Sequence, residues 1–89
     1  MLQHDFSDQL KAKLKKLFKK DRPRYGQLLK KIESICASTP EELGHFKNLR
    51  YDLSDRKRVH IGSFVLTFHF YRERHFIFFL DFDHHDDAY

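Results

Sequence analysis

Residues 80–89 read Leu-Asp-Phe-Asp-His-His-Asp-Asp-Ala-Tyr, so Asp81, Asp83, Asp86 and Asp87 surround the adjacent pair His84-His85. Imidazoles exchange protons near neutrality, which makes them the usual side chains for general acid–base chemistry. Aspartate and histidine are also the donors that hold Mn, Zn or Mg. On a strand, Asp81, Asp83 and His85 share one face and could converge with His60 or His75. Successive ligands on one straight strand nevertheless stand about 6.6–6.8 Å apart, too far for a single ion. No metal site is therefore assigned. A merely solvated terminus is the third reading. Against it stands the strand-like, strongly apolar run that leads directly into the cluster.

The elements that must position these residues fall into two halves. Over residues 7–20, Leu10, Leu14, Leu17 and Phe18 recur at helical spacing, with six lysines on the remaining faces and Ser7 as N-cap. Asp21-Arg22-Pro23 breaks this helix, and Pro23 starts a second one bearing Leu28, Leu29, Ile32, Ile35 and Cys36, which Ser38-Thr39-Pro40 ends. The second half changes period. Residues 43–55 read as loop with a short strand near 49–53. Strands follow over 57–61, 63–71 and 75–82, rich in β-branched and aromatic residues. Gly62 marks a tight turn or bulge, and Arg72-Glu73-Arg74 a charged hairpin turn. Phe64, Leu66, Phe68 and Phe70 alternate along one strand, and Phe76, Phe78, Leu80 and Phe82 along the next. The expected fold is α+β: an N-terminal helix hairpin packed on one face of a small, mainly antiparallel twisted sheet, forming one domain over 1–89.

Ten phenylalanines give this chain too much apolar surface for disorder, although 34% of its residues are charged. The lone Cys36 excludes an internal disulfide and fits the helical core pattern. No apolar run approaches the ~18 residues of a membrane span and no signal peptide is visible, so the expected location is cytoplasmic. The formal charge of +4 is unevenly spread, with a basic first half and an acidic end. Such a balance points to a polyanion met by part of the surface. The lysines of 11–20 also read as an ordinary solvated helix face. His69 and His75 read as partly exposed sheet residues, and His4 and His45 as loop residues.

The stretch NLRYDLSDRKRVHIGSFVLTF (48–68) resembles the RelE/ParE toxin superfamily in its leucine-rich lead-in, Arg-x-Arg-[VI]-Gly pattern and aromatic strand. The ending FLDFDHHDDAY resembles that family's closing strand followed by His-Arg-x-[DE]-x-Tyr, closest to an archaeal branch ending in Asp-His-His-Asp. The resemblance implies the toxin of a type II toxin–antitoxin system, held by a small, acidic, helix-rich cognate antitoxin as monomer or heteromer. It implies ribosome-dependent cleavage of mRNA without metal or other cofactor and without membrane contact. The alternative it carries is a toxin-fold protein that docks to gyrase or the ribosome and cuts nothing. Arginines of the family pattern are matched here by His60, Val65 and His85. For RNA cleavage the implied catalytic set is His84, His85, His60 and Tyr89, acting as acid, base and stacking group. Arg58, Lys47 and Arg50 are the implied phosphate-binding residues.

Overall fold

The computed structural model describes residues 2–44, 47–48 and 56–87. Its architecture is the expected α+β arrangement. Helix α1 (Asp8–Lys20) begins where Ser7 accepts a hydrogen bond from the Leu10 backbone N–H, so one orphan donor of the first turn is satisfied. Helix α2 (Arg22–Cys36) is capped in the same way by Asp21, which receives the Arg24 N–H, with Pro23 in the first turn. Leu10, Leu28, Ile32, Ile35 and Cys36 are the buried stripe of this hairpin. A further short helix, α3 (Pro40–Leu43), follows the predicted stop. Thr39 and Glu42 form its capping box, and Leu43 is fully buried.

Five strands order as β1-β5-β4-β3-β2. They are β1 (Gln3–Phe6), β2 (Lys47–Asn48), β3 (Arg56–Ile61), β4 (Phe64–Tyr71) and β5 (Phe76–His84). β1 runs parallel to β5, and the other pairings are antiparallel. Sequence pattern had no hold on β1, because four residues of mixed polarity carry too short a period. His4 thus lies in a strand, its ring edge-on to Phe6 and Phe79, and not in a loop. The strand expected near 49–53, like His45, lies outside the described residues. Gly62 takes φ 61° in the two-residue turn between the paired Ile61 and Phe64, a conformation that glycine adopts without steric cost. Arg72-Glu73-Arg74 is a 3-10 turn, and His75 closes it with φ 50°, exposed and outside the strand expected to contain it.

The alternation along β5 is interrupted. Thr67 pairs with Asp81 but Phe68 with Phe79, so Leu80 is an extra residue bulged out of the ladder. Ile77, Phe79 and Phe82 consequently join Leu66, Phe68 and Phe70 in the core beneath the helices, whereas the partners of Phe76 and Phe78 are Tyr71 and His69 on the opposite face. An unbroken period of two would have put Phe76, Phe78 and Phe82 together. The bulge carbonyl is occupied: Leu80 O accepts from Ser7 Oγ at 2.6 Å and from Gln9 Nε2 at 3.2 Å. The N-terminus of α1 is thereby fastened to the point where β5 changes phase. Among the described residues, no helix is long and apolar enough to cross a membrane.

Candidate active site

β3 and β5 do not touch along their length, because β4 lies between them. Their ends meet at the β3–β4 turn. The His85 backbone N–H donates to Ser63 O at 2.8 Å, which folds the residues after β5 back toward the end of β3. There the His60 and His85 rings approach to 5.6 Å between centroids, tilted by 33°. Both are exposed. His60 is the register partner of Val65, which is only 2% exposed. Val65 supplies an apolar footing beneath the imidazole and no positive charge. Arg58 stands two residues before His60 on the same face of β3, half-buried and opposite Thr67. Lys47 pairs with Arg58 across β2–β3. Arg50 and Tyr89 lie outside the described residues.

His84 goes elsewhere. Its ring meets Phe64 edge-on at 5.4 Å, and Phe64 stacks on Phe82 and carries the Arg24 guanidinium 4.3 Å above it. Those aromatic rings belong to the helix-facing side, so His60 is brought to His85 and not to His84. His84 ends β5 on its helix side, whereas His85 opens the 3-10 turn His85–Asp87, and its backbone bond to Ser63 O brings its ring to His60. One residue missed in the sequence connects the two. The Asp86 carboxylate lies 3.4 Å from His85 Nδ1 and 3.6 Å from His84 Nδ1, and the Asp86 N–H donates to His84 Nδ1 at 3.3 Å. An aspartate immediately following a His-His pair was the available signal. Its carboxylate is largely solvated, so it biases ring orientation more than it locks it.

Two more carboxylates of the cluster, Asp81 and Asp83, are engaged by α1. Lys13 Nζ donates to Asp81 Oδ1 at 2.6 Å and also to Asp83, while Gln9 Nε2 reaches Asp81 Oδ2 at 3.1 Å. The strand spacing that kept Asp81 and Asp83 from sharing a metal is bridged here by one flexible ammonium. Among the described residues no three histidine, cysteine, aspartate or glutamate side chains are grouped to hold a metal ion.

Partial burial is the strongest single influence on Lys13 and would lower its pKa. The hydrogen bonds and charges of Asp81 and Asp83 together outweigh it and hold the amine above its ordinary 10.5. Burial likewise would raise Asp81, but bonds from Lys13 and the Phe82 N–H prevail and hold the carboxyl below 3.8. A depressed carboxyl contributes stability above its unfolded value and loses it as pH falls through the folded one. A raised amine contributes below 10.5 and loses it as pH rises past the folded value. Lys13→Met should therefore lower the thermal midpoint at pH 7 and flatten its decline below about pH 3.8. Melting curves of both proteins at pH 7 and below pH 3.8 check this. Parallel pH dependences would mean that the clamp contributes nothing.

A family model described as the ParE toxin of type II toxin–antitoxin system, parDE, matches residues 5–89. A Methanocaldococcus jannaschii protein named putative toxin RelE4 is 46% identical over 77 residues, spanning 85% of this chain and 78% of its own length. The isolated E. coli RelE toxin superposes with a TM-score of 0.74 at 19% identity, over 94% of this chain and 84% of that one. RelE within the intact E. coli RelBE toxin–antitoxin complex gives 0.72 at 18%, over 94% and 96%. By fold the chain is a RelE/ParE-type protein. With a match over nearly all its residues, it belongs to the ParE toxin family of type II toxin–antitoxin systems.

Proposed function

We propose that this toxin is an endoribonuclease that cuts mRNA on the ribosome by metal-independent acid–base chemistry. The observation that carries the reading is the approach of His60 and His85 to 5.6 Å on an exposed sheet face, with Arg58 on the same strand. In such a reaction one imidazole removes the proton of a ribose 2′-hydroxyl, whose oxygen attacks the adjacent phosphorus. The bond to the 5′-oxygen breaks, and the second imidazole protonates that leaving oxygen. The products are a 2′,3′-cyclic phosphate and a free 5′-hydroxyl. Both oxygens lie on one phosphorus, so two rings at this spacing can serve them from either side. Arg58, with Lys47 and Arg50, holds the phosphate charge. Tyr89 stacks on a neighbouring base. His84 has the weaker claim on a catalytic role, because its ring meets Phe64.

The partner in this reading is a small, acidic, helix-rich antitoxin. The fold shared with RelE, which was solved together with its antitoxin, supports that choice, as does the charge of +4. A second reading is a toxin that docks to its target and cuts nothing. Val65 favours it, since a buried valine stands where the family pattern has a phosphate-binding arginine. The two separate in a translating extract. Added protein should shorten a labelled message and leave cyclic phosphate ends. Arrested translation with intact message would establish the second reading instead.

A further inference from the structure

The helix-free face of the sheet carries an aromatic group that the histidine pair does not use. At the far end of β4 the Tyr71 ring lies flat on His69, with centroids 4.2 Å apart and planes 16° from parallel. Phe76, its partner across the β4–β5 ladder, stands 6.0 Å away. Tyr71 is nonetheless 38% exposed. Strand alternation assigns these rings to the side away from the helices, because Leu66, Phe68 and Phe70 take the core side. Arginines border them. Arg56 is the register partner of His69, and the adjoining turn bears the exposed Arg74, whereas Arg72 of that turn lies over the core-side Phe70 ring at 5.8 Å.

Flat π surface beside guanidinium groups is the combination that holds an unpaired base and its phosphate. The ladder between this ledge and the histidines is ordered accordingly. His69 faces Arg56, Thr67 faces Arg58, and Val65 faces His60. Residues two apart on a strand are about 6.6–6.8 Å apart, comparable to the spacing of phosphates in an extended strand.

We propose that Tyr71, backed by His69, is a base-stacking subsite for single-stranded RNA. It lies roughly 20 Å along β4 from the His60–His85 pair, by the rise of six residues. The proposal rests on the RNA reading given above. It adds the course of the substrate: along β4, past Arg56 and Arg58, into the acid–base pair.

The test is binding of the full chain to a fluorescent 2′-O-methyl single strand of about 12 nucleotides, which cannot be cleaved, followed by anisotropy. Tyr71→Ala should weaken binding roughly 5- to 150-fold, the equivalent of losing one stacked base. Tyr71→Phe should bind like the parent, and both variants should keep the parent's circular dichroism at the assay temperature. Arg56→Ala should lower the salt dependence by about one phosphate contact. Unchanged affinity in Tyr71→Ala, or equal weakening in Tyr71→Phe, overturns the subsite. So does a variant that binds the strand normally but loses its antitoxin, which would assign the ledge to a protein partner. If the parent binds through Tyr71 yet never cuts message, the subsite stands and the nuclease reading falls.

Discussion

Replacing either His60 or His85 with alanine should lower the rate of message cleavage by about 10²- to 10⁴-fold, the range for losing a positioned acid or base. The double variant should be little worse than either single one, because groups that act as a unit do not add. His84→Ala should fall much less, since its ring packs edge-on against Phe64 while His60 faces His85. This ordering discriminates sharply. A purely sequence-based assignment ranks His84 first, because it matches the histidine of the family pattern. The geometry ranks His85 first. All three side chains are exposed, so circular dichroism and melting should match the parent and exclude unfolding as the cause. The pH profile of the parent should be bell-shaped, because one imidazole must be neutral while the other is protonated. Equal cleavage by parent, His60→Ala and His85→Ala would remove the pair from the mechanism.

The largest effect on stability should come from Phe79. It is fully buried, stacks on Phe6 at 5.4 Å and 25°, and meets Phe68 at 5.9 Å. One side chain therefore joins β1, β4 and β5. Truncating a buried phenylalanine to alanine costs about 3–5 kcal/mol, from lost transfer free energy and the cavity left behind. Domains of this size unfold at about 5–15 kcal/mol, so Phe79→Ala should lose much of its margin. The corresponding fall in thermal midpoint is roughly 12–40 °C. Phe18→Ala is the internal control. Phe18 is 44% exposed and its ring meets Tyr25 and Arg22 on the surface, so its loss should cost about 1 kcal/mol, well below that of Phe79. Similar melting of the two variants would refute the packing account.

Much of this molecule can be read from its residues because its signals are periodic. The stripes of α1 and α2, the cap Ser7, the break at Asp21-Arg22-Pro23, the turn at Gly62 and the strands β3 to β5 all follow from spacing and residue type. What escapes is non-local. β1 is recognisable only through its parallel partner 73 residues onward, and the bulge at Leu80 leaves no mark in composition. The site shows the same division. Histidine as the reacting side chain is legible from type and position. Which histidine meets His60 depends on the hydrogen bond from His85 N–H to Ser63 O, and no local pattern encodes that bond. The Lys13 clamp on Asp81 and Asp83 spans the chain likewise.

The extra residue in β5 gives the strand two reading frames. Before it, the odd positions Ile77 and Phe79 face the helices; after it, the even position Phe82 does. That half-step allows Phe76 and Phe78 to share a side with Asp81 and Asp83. A chain lacking Leu80 would not scramble the sheet, because Phe79, Asp81 and Phe82 would then meet Phe68, Thr67 and Leu66 in unbroken alternation. It would lose the bulged carbonyl that receives Ser7 Oγ and Gln9 Nε2. The extra residue is thus an anchor for α1, and pairing within β5 does not depend on it.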